Sequence, residues 1–252
     1  MAERALLESF LVRAEIEHAV YELRPDYRAL LLAVDGVVPA PSDEASRTLL
    51  EEAEAAARQT LADMPVDQLP HIAGWREAYR ACGAKPQRTR NSLEALTRRA
   101  AGTGLPRVNR LADLYNAISV LHQVPLGGED RDCYAGPPRL VRATGEEPFD
   151  TVVEGETVIE HPEPGEVVWR DDEGVTCRRW NWRQGPRTQL TDHTTTALFI
   201  FDALGPMTDS QLTTAADHLA EHLTRFGEDV QVSRRLMTPA SLPGRTKESH
   251  PC

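Results

Sequence analysis

No stretch of this 252-residue chain is apolar for anything near the roughly 20 residues that a bilayer-spanning helix needs. The longest apolar runs, Ala29 to Val34 and Thr196 to Phe201, have the length of buried strands. No transmembrane helix and no membrane partner are expected. The first twenty residues interleave Glu3, Arg4, Glu8, Arg13, Glu15 and Glu17 with apolar positions instead of placing a basic segment before an apolar one, so export is not expected either. Cysteine is scarce: Cys82, Cys133, Cys177 and Cys252 stand alone, with no C-x-x-C pair, which removes a zinc ribbon and a disulfide scaffold and fits a reducing cytoplasm. Positive charge is also short, with 28 Lys and Arg against 39 Asp and Glu and a net charge of −11. Taken as an average, that balance speaks against a polyanionic partner, because phosphate binding needs Lys and Arg.

The average conceals segregation. Lys85 to Arg110 carries Lys85, Arg88, Arg90, Arg98, Arg99, Arg107 and Arg110 against the single acid Glu94, a local +6. Cys177 to Thr188 carries Arg178, Arg179, Arg183 and Arg187 and no acid, leaving −21 on the rest of the chain. Two outcomes stay open: a basic face that steers a polyanion, or arginines neutralised by the surplus carboxylates.

With 40% apolar and 27% charged residues the chain has ordinary globular composition and enough length to bury a core. Apolar spacing predicts a helix over Asp43 to Met64, capped by Ser42 and ended by Pro65, and further helices over Ser92 to Ala101, Arg110 to Leu121 and Asp209 to Phe226. Arg28 to Val34, closed by Asp35-Gly36, reads as a buried strand and turn. Short strands are predicted at Leu140 to Ala143, Thr151 to Val153, Val158-Ile159, Val167 to Arg170, Val175 to Trp182 and Ala197 to Phe201. Helices followed by a strand-rich stretch predict an α+β fold. The segment after Met237, with Pro239, Pro243, Gly244 and Pro251, is expected to be loosely held.

Five stretches, in order, carry a resemblance. They are Gly83-Ala84-Lys85-Pro86 running to Ser92-Leu93-Glu94-Ala95-Leu96 and Arg98-Arg99; Leu105-Pro106-Arg107-Val108-Asn109 with Ala112-Asp113-Leu114-Tyr115-Asn116-Ala117-Ile118-Ser119; Pro125-Leu126-Gly127-Gly128-Glu129-Asp130; Arg142-Ala143-Thr144-Gly145-Glu146-Glu147; and Pro164-Gly165-Glu166 leading to Cys177-Arg178-Arg179-Trp180-Asn181-Trp182-Arg183. Over roughly Trp75 to Asp202 the chain resembles the B3/B4 domain family, the editing domain of the bacterial phenylalanyl-tRNA synthetase β subunit. The resemblance implies a mixed or antiparallel β-sheet core flanked by helices, in one domain spanning residues 1–240, with 1–70 as an N-terminal elaboration and 241–252 as a tail. It implies a free-standing protein that binds aminoacyl-tRNA and proofreads in trans, with a synthetase or an elongation factor as further partner and no DNA. Within the family's Val-Asp-x-Thr-Asn pattern, Asn116 matches the pocket asparagine and Tyr115 stands in place of the threonine; Gly127 stands in place of the editing histidine of Pro-Leu-His-Ala-Phe-Asp. Phe201 falls where the family has a pocket glutamate.

An aminoacyl ester is already activated, so a deacylase needs a positioned water, donors for the oxyanion and a selective pocket, and no cofactor. Candidate catalytic residues are Asn116, Gly127, Gly128, Glu129 and Asp130: the glycines would admit backbone N–H groups, and the acids would hold the α-ammonium or orient water. A surface turn with solvated acids is the alternative for the last four. The pocket is expected to draw on Tyr115, Ser119, Glu146, Trp180, Asn181 and Trp182. On a strand the two tryptophans would share one face and stack on a base or side chain, or simply be core. Lys85, Arg88, Arg90, Arg99, Arg178, Arg179 and Arg183 are the candidate tRNA contacts. His218-Leu219-Ala220-Glu221-His222 matches the H-x-x-E-H pattern of zinc peptidases, but its histidines sit at the flank of an apolar stripe with no room for a distant third ligand, so no metal is expected. No nucleotide-binding signature accompanies the core, which sets aside a full synthetase. A non-catalytic module that binds tRNA or an amino acid remains the second reading.

Overall fold

The computed structural model describes residues 2–241; residues 242–252, with most of the expected tail and Cys252, lie outside it. In chain order the elements are α1 (Ala2–Val12), β1 (Glu15–Ile16), α2 (His18–Leu23), β2 (Arg28–Asp35), α3 (Glu44–Asp63), α4 (Pro70–Ala81), α5 (Ser92–Ala101), α6 (Arg110–Leu121), β3 (Leu126–Asp130), β4 (Arg139–Arg142), β5 (Phe149–Val153), β6 (Glu156–Glu160), β7 (Val167–Arg170), β8 (Val175–Arg178), β9 (Arg183–Gln184), β10 (Thr196–Ala203), α7 (Asp209–Leu223) and β11 (Gln231–Met237).

The two apolar runs seen in the sequence become the paired central strands β2 and β10, with Thr196 opposite Asp35 and Ala203 opposite Arg28. They form the middle of an antiparallel sheet ordered β11-β2-β10-β3. Strand alternation divides their side chains between two cores. Leu30, Leu32 and Val34 of β2 and Ala197, Phe199 and Phe201 of β10 pack against α3, α6 and α7. Ala29, Leu31 and Ala33, with Leu198 and Ile200, pack the other way, against α1, α4 and a second sheet. That second sheet, ordered β1-β4-β7-β8-β9, is antiparallel except for the β1–β4 pair. The fold is α+β, in layers of helices, sheet, and a second sheet with its own helices.

Helices α5 and α6 start and end where apolar spacing predicts, and each is capped by an asparagine: Asn91 accepts from Glu94 N (2.9 Å) and Asn109 from Ala112 N (2.8 Å). Ser42 does not cap α3. Asp43 does, accepting from Ser46 N (2.8 Å) while Ser46 Oγ accepts from Asp43 N (3.1 Å), a reciprocal box one residue later than predicted. Strand β8 ends at Arg178, four residues short of the predicted Trp182, because Arg179 and Trp180 turn into the left-handed region at φ 48° and 58°. Four strands escaped the pattern: the two-residue β1 and β9, β3, whose Gly-Gly-Glu-Asp reads as a turn, and β11, whose polar residues form an edge beside β2.

Gly128 on β3 shows how tightly the helical layer meets the sheet. A Cβ there would lie 2.8 Å from Leu190 Cδ1, 2.8 Å from Tyr115 Cδ1 and 2.9 Å from Phe199 Cε1. Gly128→Ala is therefore expected to lose about 1–3 kcal/mol through overpacking, read as a lower denaturation midpoint at unchanged m value. Unchanged stability would mean that Tyr115 repacks freely.

Candidate functional site

A cavity of about 260 Å³ opens between the β3–β10 edge, the β7–β8 hairpin and α5. Its floor is the β10 face that points away from the helical layer. Gly127 and Glu129 of β3 and Ile200 and Asp202 of β10 line it, and the walls are Tyr115, Trp169, Cys177, Trp180 and Trp182. Ser92, Ala95 and Leu96, at helical spacing on α5, form one rim.

Two carboxyls are sunk into this floor. Glu129 is 3% exposed and accepts a hydrogen bond from the Tyr134 hydroxyl; burial pushes its carboxyl up to about 7, against the opposing pull of that bond. Asp202 is 2% exposed, accepts from Tyr27 Oη (2.5 Å) and Asn181 Nδ2 (3.2 Å), and is pushed by burial to about 6. Register sets their spacing. Glu129 faces Leu198 on β10, and Asp202 stands four residues further along that strand, roughly 13 Å at about 3.3 Å per residue. Gly127, opposite Ile200, lies between them, and a Cβ built there would meet nothing within 4 Å. The floor is thus a bare stretch with an acid near neutrality at each end, suited to a ligand with separated polar groups and to proton transfer around pH 7. Cys177 contributes no nucleophile, because burial raises its thiol well above the usual range.

Asn116 is 7% exposed, lines the cavity and makes no side-chain hydrogen bond among the described residues. The amide is not sealed from solvent: it faces the open cavity, free to hydrogen-bond water or a ligand.

The turn after β8 carries the polar wall. Consecutive non-glycine residues in the left-handed region cost energy and persist only where the surroundings hold them. Here Trp180 N donates to Val167 O (3.0 Å), Trp182 N to Arg178 O (3.0 Å) and the Tyr79 hydroxyl to Arg179 O (2.8 Å), while Trp180 stacks on Tyr79 at 15° and packs edge-on against Trp75. The turn sets Asn181 towards Asp202 and splits the tryptophans. Trp180 is core on one side and cavity wall on the other, and Trp182 stands half-exposed with Arg179 4.8 Å above its ring.

Of the residues singled out in the sequence, Asn116, Tyr115, Gly127, Glu129, Trp180, Asn181 and Trp182 line the cavity together. Others are placed elsewhere. Gly128 faces the helical layer. Asp130 is a structural acid that accepts from Thr194 Oγ1 (2.6 Å) and Asp132 N (3.0 Å). Ser119 donates to Val124 O (2.7 Å) inside the helical layer, and Glu146 is exposed in the β4–β5 connection, outside the cavity lining. The arginines after β8 take the neutralised alternative: Arg178 is 7% exposed and pairs with Glu166 (2.8 Å) and Glu160 (3.0 Å), Arg179 pairs with Glu166 (3.2 Å), and Arg183 with Glu160 (3.6 Å). Three guanidiniums thus share two carboxylates, so most of their charge is neutralised within the fold and the half-exposed Arg183 keeps the weakest pairing. Lys85, Arg88, Arg90 and Arg99 are exposed; Arg90 and Arg98 share Glu94, whereas Lys85, Arg88 and Arg99 have no carboxylate partner among the described residues. Arg99 sits one turn beyond Ala95 and Leu96 on the rim-facing stripe of α5.

Asp202 carries no motif signal in the sequence. Phe201, matched to the family's glutamate position, points into the helical core, and the acid one residue later points into the cavity. Alternation decides this: a shift by one residue moves a side chain to the other face of the sheet. Gln184, which donates to Gly128 O (3.0 Å) and Thr188 O (3.2 Å), and Trp169 complete the lining with no signal in the sequence. Among the described residues no helix is long and apolar enough to cross a membrane, and no group of three or more His, Cys, Asp or Glu is placed to hold a metal ion. His218 instead meets His122, Nδ1 to Nε2 at 2.8 Å.

Filling the floor without touching the core gives a direct test of the cavity. Gly127→Leu is expected to leave the thermal midpoint within about 2 °C, since its Cβ meets no atom within 4 Å and the rest of the side chain enters the cavity, and to abolish binding of whatever occupies the site. A variant that binds as wild type would move the ligand elsewhere.

The layered α+β fold carries an aromatic cavity at a sheet edge. The chain belongs to the B3/4 domain family, whose model matches residues 74–237. Among solved structures it is similar to an N-terminal fragment of the phenylalanyl-tRNA synthetase β-subunit from Pyrococcus horikoshii, at 13% identity and a TM-score of 0.44 over 87% of this chain and 49% of that one. The chain therefore spans about half the length of that fragment. No curated protein matches it.

Proposed function

We propose that this protein binds the aminoacylated 3′ end of tRNA and hydrolyses a wrongly attached amino acid. The observation that carries the reading is a cavity whose floor holds Glu129 and Asp202 and whose wall presents the Asn116 amide, unpartnered by other side chains or backbone among the described residues. Family membership supports tRNA as the partner class. In this reading the amino acid lies across Gly127, with Glu129 orienting water towards the ester carbonyl and Asp202 holding a polar group at the other end of the amino acid. Asn116 donates to the oxyanion, where an amide N–H is worth far more in a dry cavity than in water. Glu129 suits the base role because its proton affinity lies near neutrality. Lys85, Arg88 and Arg99 supply phosphate contacts on the α5 side. A trans-acting editor would meet its substrate free or handed over by a synthetase or elongation factor, in the cytoplasm.

Release of amino acid from a panel of correctly and wrongly charged tRNAs tests this. Selective release from one mischarged species is expected, with Asn116→Ala and Glu129→Gln each lowering turnover by about 100-fold while KM changes little, and Asp202→Asn, which loses a ground-state contact, raising KM. Full turnover in both Asn116→Ala and Glu129→Gln would remove this site from the reaction. A second reading, a module that binds charged tRNA or an amino acid without hydrolysis, is favoured by Gly127 standing where the family resemblance places a histidine. No release from any species, with tRNA binding retained, would establish it.

A further inference from the structure

A second cavity, of about 250 Å³, lies on the other side of Trp180 from the one just described. It is bounded by the C-terminal end of α4 (Ala81 to Ala84), by the Glu163 to Val167 segment, and by Arg142, Arg179, Tyr79 and Trp180. No step of the proposed reaction uses it.

The charges facing this cavity divide into spent and available ones. Glu166 is committed: Arg178 grips both its oxygens (2.8 and 2.9 Å) and Arg179 Nε donates to it (3.2 Å). Arg142 is anchored by a single donor, Nε to Gly165 O (2.9 Å), and no carboxylate pairs with its guanidinium among the described residues. Gly165, at φ +84°, lets that guanidinium lie across the backbone; a Cβ there would stand 2.7 Å from Arg142 Nη2. Glu163 is exposed and has no cationic partner among the described residues, while the last carbonyls of α4 are taken up by the capping turn, Ala78 O and Tyr79 O by Cys82 N (both 3.2 Å) and Arg80 O by Gly83 N (3.0 Å). One available cation thus shares a small cavity with one available carboxylate. A simple anion would meet Glu163, and a simple cation would meet Arg142, so either pays repulsion that a dipolar ligand avoids.

We propose that this cavity is a second binding site, for a small zwitterion of the free α-amino acid class. The ligand's carboxylate takes the open edge of the Arg142 guanidinium as a forked pair, and its ammonium sits at Glu163. The site stands independently of the hydrolytic reading, since it shares with the first cavity only the Trp180 wall.

Isothermal titration of the full-length chain with glycine and the other nineteen common amino acids, each beside its N-acetyl derivative, tests the assignment. At least one free amino acid is expected to bind, with the N-acetyl form at least tenfold weaker. Arg142→Gln should weaken binding at least tenfold, and Arg142→Lys, which keeps the charge but not the fork, should weaken it less. Gly127→Leu, which fills the first cavity, should leave the affinity unchanged. Three results overturn the proposal: no amino acid binds, N-acetyl derivatives bind as well as the free forms, or binding is lost in Gly127→Leu and kept in Arg142→Gln. The last would place the ligand in the first cavity.

Discussion

Glu129→Gln is expected to be more stable than the wild type at pH 8 by on the order of 3 kcal/mol, and equal to it near pH 4.5. The carboxyl's folded-state value is raised to about 7 from an ordinary 4.5 because burial disfavours its ionised form. Below pH 4.5 both folded and unfolded chains hold the proton, and Glu129 costs nothing. Between pH 4.5 and 7 the folded chain retains a proton that the unfolded chain has released, so stability falls as pH rises; above pH 7 the whole penalty is present. Each unit of difference is worth about 1.4 kcal/mol, and for a chain of this length about 3 kcal/mol corresponds to roughly 6–12 °C in Tm. Glutamine keeps an acceptor for the Tyr134 hydroxyl and has no charge to bury. Thermal denaturation of both proteins from pH 4.5 to 8 measures the gap, and a gap that stays constant with pH would show that Glu129 ionises normally. Asp202, raised to about 6 from 3.8, adds a further fall of the same sign over a lower window, which Asp202→Asn should remove. If Glu129→Gln lowers turnover and Asp202→Asn raises KM, this instability is the cost of keeping carboxyls of near-neutral proton affinity in a dry cavity.

The second large effect lies behind the cavity rim. Glu94 has no exposed surface and takes Arg76 Nη1 on both oxygens (2.8 and 3.0 Å), with Arg98 Nε on one of them (3.1 Å). Removing one partner of a buried pair strands the other charge, whereas replacing both by apolar groups of similar volume is often close to neutral. Arg76→Met is accordingly expected to cost about 3–5 kcal/mol, and Arg76→Met with Glu94→Leu to recover most of it, both read by chemical denaturation. A loss below about 1 kcal/mol in the single variant would mean that Arg98 and Arg90, half-exposed beside Glu94, take over the pairing. Because Arg76 is on α4 and Glu94 on α5, the pair also fixes Ser92, Ala95 and Leu96 over the cavity. Arg76→Met should therefore weaken binding in the first cavity even at temperatures where the chain stays folded.

Local signals made much of this molecule readable from its residues. The α5 and α6 boundaries follow from asparagine caps and apolar spacing, and the two central strands from runs of apolar residues buried on both faces, which need no tertiary information to recognise. Membership of the B3/4 domain family was legible from ordered short motifs, and with it Tyr115, Asn116, Gly127 and Glu129 as one cluster. Tertiary structure decided the rest. Whether Arg178, Arg179 and Arg183 face a polyanion or pair with Glu160 and Glu166 depends on which distant carboxylates the β6–β7 segment brings near, and charge counting along a chain carries no such information. Asp202 became a floor carboxyl, and Phe201 a core residue, because strand pairing fixed which face of β10 looks at the cavity; Gly127 and Gly128, adjacent in sequence, were sent to opposite layers for the same reason. Sequence thus determined the elements and the family, and packing alone determined which charges are neutralised, which are buried, and which remain for a ligand.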